Sequence, residues 1–201
     1  VERGLRSTMR DVRVTVLGTA QDGGVPQPGC MRECCERIRK NDALRRLPVS
    51  LGIVGSDGST HLIEVGRHLG EQLEIWRSVD NVSGPPDTVS LTHYHLGHCD
   101  GLGLFGNEAM NTKDLPVYGG RGGPGWIQKM HDNRYIEKRA YWNADMAKPT
   151  RPANIWETLL GVEEDTEDVP ISQPSTMDRG LGYSPTPGCG FIIHPHWVPH
   201  R

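Results

Sequence analysis

Val89-Ser-Leu-Thr-His-Tyr-His-Leu-Gly-His-Cys-Asp-Gly101 is the stretch on which the fold and the chemistry of this chain turn. An apolar, β-type run from Val89 to Thr92 leads straight into His93, His95 and His98, and Gly101 follows where a turn can begin. The pattern is a strand that ends in a cluster of imidazoles. Imidazole is the commonest metal-ligating side chain, and three so close together converge on one or two ions when the backbone turns sharply after the strand. With 9 histidines in 201 residues, a chance H-x-H-x-x-H occurs about once in ten thousand positions, or with a frequency of roughly two in a hundred over the chain. The spacing therefore points to metal ligation ahead of a solvated His-rich loop.

Composition narrows the class. A chain of 201 residues is most economically one domain, with residues 1–11 as an N-terminal tail and residues 12–201 as the folded part. The formal net charge of -3 and the absence of a long basic stretch argue against nucleic acid as a partner. No apolar run is long enough to span a bilayer, so no membrane segment is expected. The first residues carry charges without an apolar stretch and do not start with Met, which reads as a cut or mis-assigned beginning from which an export signal could be missing. Five cysteines, an odd number with Cys30, Cys34 and Cys35 close together, look like metal ligands rather than a secreted disulfide framework. That leans the chain toward the cytoplasm.

Taken in order, Asp11 to Thr19 alternates apolar and polar residues and predicts a first strand. The glycine-rich stretch from Ala20 to Gly29 follows as a loop at a strand end, either an active-site wall or a surface Ω-loop. Cys30, Cys34 and Cys35 could share a structural zinc, with Cys99, Cys189 or a histidine as fourth ligand; free or buried thiols are the other reading. A polar helix is expected from about Glu36 to Arg46. Val49–Val54 and His61–Val65 flank Gly55-Ser-Asp-Gly-Ser59 and predict a hairpin whose second strand delivers Glu64 near a turn. An amphipathic helix is expected over Arg67–Trp76, and another over Leu102–Met110. Leu115–Gly119 reads as a strand reached by a right-handed crossover in a partly parallel sheet. Gly119–Gly125 lacks the Walker register and reads as a turn. Trp126–Ala147 is expected to be helical, and Gly161–Pro170 a solvated acidic loop.

The histidines after Val89 and those of Phe191–Arg201 suggest a metal site assembled from separate strand ends. His93, His95 and His98 come from one, and one of His194, His196 or His200 from the other. Fewer than four protein ligands leave an open position for water, whose pKa a metal brings to about 7 so that hydroxide is available at neutral pH. A closed structural site is the alternative with the same ligands.

Thr92-His-Tyr-His-Leu-Gly-His98 resembles the T-H-x-H-x-D-H signature of the metallo-β-lactamase superfamily. Leu17–Cys30, Gly106–Thr112 and Val198-Pro-His-Arg201 resemble its branch related to coenzyme PQQ synthesis protein B. The resemblance implies an α/β (α+β) fold, a metallo-β-lactamase-like αββα sandwich of two mixed sheets covered by helices. It implies His93 and His95 as ligands of a first zinc, His98 as a ligand of a second, and His200 as the third ligand of the first. Three departures matter. Gly97 stands where the signature has Asp, which removes a ligand of the second metal and favours a single ion, with Asp100 as a candidate substitute. The branch's Cys-x-Cys-x-x-Cys is here Cys30-x3-Cys34-Cys35. Nothing after Arg201 supplies the rest of the sandwich, so the fold is expected to be incomplete at the C-terminus.

The resulting expectation is a zinc-dependent hydrolase in which activated water attacks a small-molecule substrate, with Asp22 and Asp100 as candidate catalytic carboxylates and Gln21 beside Asp22 on the pocket wall. The alternative is a non-catalytic protein that binds or carries a PQQ-like ligand, or an accessory of its biosynthesis. A fragment whose metals are only structural is the third reading.

Overall fold

Alternating β-branched residues in Arg13-Val-Thr-Val-Leu-Gly18 form β1 (Arg13–Gly18) in the computed structural model, which describes residues 11–119, 134–140 and 183–194. The hairpin expected around Gly55-Ser-Asp-Gly-Ser59 is present as β2 (Ser50–Val54) and β3 (Thr60–Ile63), paired antiparallel from Leu51↔Ile63 to Val54↔Thr60. β4 (Thr88–Ser90), β5 (Leu115–Gly119) and β6 (Ile136–Ala140) add in parallel, giving a six-stranded mixed sheet in the order of the chain. Helix α1 (Glu33–Arg39) follows the glycine-rich loop, α2 (Leu69–Asp80) connects β3 to β4, and the short α3 (Leu96–Cys99) lies inside the histidine stretch.

Register sorts the side chains into two faces. Thr15, Gly52, Leu62, Val89 and Val117 stand side by side across the sheet. Against this row lies α2, whose buried Trp76 is seated on Gly52. Leu17, Leu62, Val65, Leu69, Trp76, Val89, Leu102 and Phe105 form the centre of the core, each almost fully withdrawn from water. On the opposite face the row Ile53, His61 and Thr88 and the row Ile63, Ser90 and Tyr118 are met by the segment 183–194. There Tyr183 hydrogen-bonds Ser90 through their hydroxyls (2.7 Å), and the Phe191 ring meets His61 edge-on at 5.0 Å. Val14 and Val16 of β1 share that face and are 59% and 57% exposed, so among the described residues the sheet is closed by α2 on one side and only partly covered on the other.

Three sequence expectations change. The helix expected to reach Arg46 stops at Arg39, and Asn41, whose side chain accepts from the Ala43 amide (3.2 Å), opens a separate 3-10 turn over Asp42–Leu44. The helix expected over Leu102–Met110 is a 3-10 turn over Asp100–Phe105, since Gly101, Gly103 and Gly106 weaken α-helical propagation there. Residues 136–140 of the expected Trp126–Ala147 helix are a strand, paired with β5 from Leu115↔Ile136 to Gly119↔Ala140. The open hydrogen-bonding edge of β5 outweighs a local helical periodicity. Arg134 and Tyr135 form a turn just before that strand, and the remainder of that expected helix and the acidic stretch at Gly161–Pro170 lie outside the described residues.

Two outcomes test this packing. A Cβ on Gly52 would lie 2.7 Å from Trp76 Cδ2 and Nε1, and the indole is 1% exposed with nowhere to retreat. Gly52→Ala is expected to cost about 1–3 kcal/mol in chemical denaturation; an unchanged midpoint would show that the indole is not seated there. Asp80, at the end of α2, is pushed up by burial, but hydrogen bonds from Thr15 and Arg13 (2.8 Å) outweigh this and hold its carboxyl below the ordinary value. A carboxyl depressed in the folded state contributes stability above the unfolded pKa of about 4 and loses it as pH falls through the folded value. Asp80→Asn should therefore show a shallower loss of stability in acid than the parent protein, read from melting midpoints across that range.

Candidate functional site

Strand direction places the site. β1 and β3 are both antiparallel to β2, and β4 and β5 continue parallel to β3, so the C-terminal ends of β1, β3, β4 and β5 lie on one edge of the sheet. In sheets with parallel strands, ligands are bound beyond those ends. The loops that leave this edge carry Gln21 and Asp22 after β1, Glu64 to Gly66 after β3, and Leu91 to Gly101 after β4.

Glu64 holds the histidine loop. It is 3% exposed, and its backbone adopts the left-handed conformation (φ 65°), which turns the chain directly after β3. One carboxylate oxygen accepts from the Thr92 amide (2.6 Å) and the other meets His98 Nδ1 at 2.7 Å. Backbone hydrogen bonds from Val65 to the His98 carbonyl (2.9 Å) and from Gly101 to the Val65 carbonyl (2.8 Å) lace the same two segments together. The approach needs glycine: a Cβ on Gly101 would lie 2.7 Å from the Val65 oxygen, and one on Gly66 would overlap the Gly97 carbonyl.

The three imidazoles predicted from sequence are brought together. The His93 ring lies 4.1 Å from that of His98 and 4.5 Å from that of His95, centroid to centroid. Thr92 Oγ1 is 2.9 Å from His93 Nδ1. His98 is clasped on both ring nitrogens, by Glu64 at Nδ1 and by Asp22 at Nε2, where Asp22 Oδ1 is 3.1 Å away. Burial pushes the His98 imidazole down, but the hydrogen bond and charge of Glu64, joined by Asp22, outweigh it and hold its pKa above the ordinary histidine value. A carboxylate on Nδ1 is also what fixes a ligating histidine's tautomer and directs Nε2 outward.

Donor chemistry fits a zinc-type ion in kind: imidazoles, with a carboxylate beside them. It fits in spacing for one pair. Two donors at tetrahedral positions on one zinc stand roughly 3.3 Å apart, against 3.1 Å for Asp22 Oδ1 and His98 Nε2. Among the described residues, no group of three or more His, Cys, Asp and Glu side chains is arranged to hold an ion.

Other predicted residues are placed differently. Asp100 faces Arg67, 3.3 Å away, and His68 rather than the imidazoles, and burial pushes its carboxyl up against the opposing Arg67 charge. Cys30, Cys34 and Cys35 are free thiols, partly exposed, exposed and buried respectively. Neighbours on a helix point about 100° apart, so Cys35 enters the core while Cys34 faces water, and the three are not assembled into a metal-holding group. Cys99 and Cys189 are fully buried, Cys99 in the core and Cys189 beside Ser184 (3.3 Å). His194 is exposed at the end of the segment that follows the Tyr183↔Ile193 bridge. His196 and His200 lie outside the described residues. Glu64 is the site residue that a search for metal-ligand spacing passes over; its signal was a carboxylate at a strand end followed by glycine.

Glu64→Ala removes both hydrogen bonds that fasten the loop. It is expected to cost about 1.5–3 kcal/mol and to speed amide exchange at Thr92; a Thr92 amide as protected as before would show that Glu64 does not hold the loop.

No known family model matches the chain. Over 91 residues it is 31% identical to an octanoyltransferase of Porphyromonas gingivalis, a stretch that covers 45% of this chain and 17% of that protein. Among solved structures it is similar to zinc-bound PqqB from Methylobacterium extorquens, with 19% identity, a TM-score of 0.48, and coverage of 63% of this chain and 45% of that one. It is similar to a diphosphatase from the PhnP family, with 24% identity, a TM-score of 0.46, and coverage of 64% and 50%. It is also similar to the metallo-β-lactamase fold protein YhfI from Bacillus subtilis, with 19% identity, a TM-score of 0.39, and coverage of 71% and 48%. The chain thus spans at most half the length of each of these.

Proposed function

We propose that the chain carries the metal-binding half-site of a zinc-type hydrolase acting on a small-molecule substrate. The observation that carries this reading is the packing of His93, His95 and His98 at the C-terminal strand edge, with His98 clasped between Glu64 and Asp22. His93 and His95 would hold the ion, with His200 from the end of the chain as their partner. When bound, a zinc-type ion lowers the pKa of water to about 7 and polarises the bond under attack.

The chain's own residues divide the remaining work. Glu64, buried with both oxygens engaged, orients the loop. Asp22 is 48% exposed, so its carboxylate stays open to water and to an incoming substrate beside His98. Tyr94 packs its ring toward β5, and a Cβ on Gly119 would meet its hydroxyl at 2.7 Å. Burial, then the nearby Cys99, pushes the Tyr94 phenol up, so it stays protonated and serves as a wall at neutral pH. No helix among the described residues is long and apolar enough to cross a membrane.

Elemental analysis of the purified chain tests the reading. About one zinc per chain is expected, following the three-ligand pattern of catalytic zinc, and His93→Ala should lower it. Undiminished metal in His93→Ala would overturn the ligand assignment. A panel of lactone, lactam and phosphodiester substrates then reads turnover. Tight binding of pyrroloquinoline quinone without hydrolysis of any of them would support the carrier reading instead.

A further inference from the structure

The histidine signature lacks its carboxylate because residue 97 is Gly. The loop after β1 fills that volume with another carboxylate. A Cβ built on Gly97 would lie 2.6 Å from Asp22 Cα and closer still to Asp22 Cβ and Cγ, so the side chain of Asp22 occupies the space that a side chain at 97 would enter. From there Asp22 Oδ1 stands 3.1 Å from His98 Nε2. The other carboxylate near the loop, Asp100, is turned away toward Arg67. Asp22 is positioned from outside the histidine stretch, by a loop whose backbone is pinned through Gly24 to Gln21 (2.7 Å) and through the Val25–Arg46 pairing (2.8 and 2.9 Å).

We propose that Asp22 supplies, from the loop after β1, the carboxylate absent at position 97, and that Asp22 Oδ1 and His98 Nε2 form a donor pair for a divalent, zinc-type cation. This rests on the metal-dependent reading above and goes further by naming a donor and a position that exclude each other. The two positions compete for one volume: a side chain at 97 would enter the space that the Asp22 side chain fills.

The test is a carboxylate exchange in the full chain, using Asp22→Gly, Asp22→Asn, Gly97→Asp and the double variant Asp22→Gly/Gly97→Asp. In chelator, Gly97→Asp should melt below the parent, and the double variant should recover part of the loss, because the overlap with the Asp22 side chain is relieved while the Cα of residue 22, 2.6 Å away, remains. Zinc affinity, read by competition with a chromophoric chelator, should fall at least about tenfold in both Asp22→Gly and Asp22→Asn. If Asp22 is only an ion-pair partner of His98, Asp22→Asn binds zinc as the parent does, and the proposal is overturned while the hydrolase reading stands. Failure of the double variant to regain stability in chelator would also overturn it, since the two positions would then not share space. A parent chain that binds no zinc overturns both this proposal and the reading on which it rests.

Discussion

The carboxylate of Glu64 is the constraint on which the site depends. A charged group withdrawn from water is costly unless every oxygen finds a donor, and Glu64, 3% exposed, finds the Thr92 amide and His98 Nδ1. Both donors lie on the histidine stretch, so the cost of burying this charge is offset only while that stretch keeps its fold. Charge-assisted hydrogen bonds of 2.6 and 2.7 Å are at the strong end of the range. The left-handed turn at Glu64 belongs to the same arrangement, since it ends β3 and swings the side chain beneath β4.

Close backbone approach follows from that grip. Gly66, Gly97 and Gly101 let the turn after β3 and the histidine loop touch main chain to main chain, with the Val65 amide and carbonyl bonded to His98 and Gly101. A loop drawn this tightly has little room for side chains between its layers. A glycine at 97 is therefore part of the packing as much as a departure from a signature, and Asp22 enters the space it leaves. Carrying a carboxylate on a separate loop costs conformational entropy that a residue within the histidine loop would not, because two backbone segments must be ordered relative to each other. Backbone pairing of Val25 with Arg46 and of Ala20 with Val49 supplies that ordering from the strand side.

Much of this was legible in the residues. The alternation of β1, the turn chemistry at Gly55–Ser59 and the spacing of His93, His95 and His98 each rest on short-range rules, and each element stands where those rules put it. The Glu64-Val-Gly66 end of the hairpin was visible as a strand that delivers a carboxylate, yet its partners, at Thr92 and His98, are long-range and leave no local mark. Asp22 and Gly97 illustrate the same limit: the sequence marks one as a candidate carboxylate and the other as a departure from a signature, and only the fold shows that they contend for one volume. The strand at residues 136–140 was missed because an open sheet edge, a tertiary feature, overrides local periodicity. At the cysteine cluster, spacing in sequence does not reveal that the adjacent helical residues Cys34 and Cys35 face opposite environments.

Comparison of two histidines shows what makes a site here. His61 is 1% exposed in β3, with Nε2 2.7 Å from Ser59 Oγ and Nδ1 2.9 Å from Thr88 Oγ1. Burial pushes its pKa down, only partly opposed by Asp87 and Asp57, so its neutral ring, held by hydroxyls, is a satisfied structural group. His98 is also largely withdrawn from water, yet its nitrogens meet carboxylates, and the balance tips the other way. Hydroxyl partners can donate or accept and so saturate a neutral ring, whereas carboxylates only accept, concentrating negative charge around Nδ1 and Nε2. At the C-terminal edge of the sheet the carboxylates meet the His98 ring directly, whereas Asp87 and Asp57 act on His61 only from a distance, because two loops, after β1 and after β3, each bring one carboxylate to the same ring.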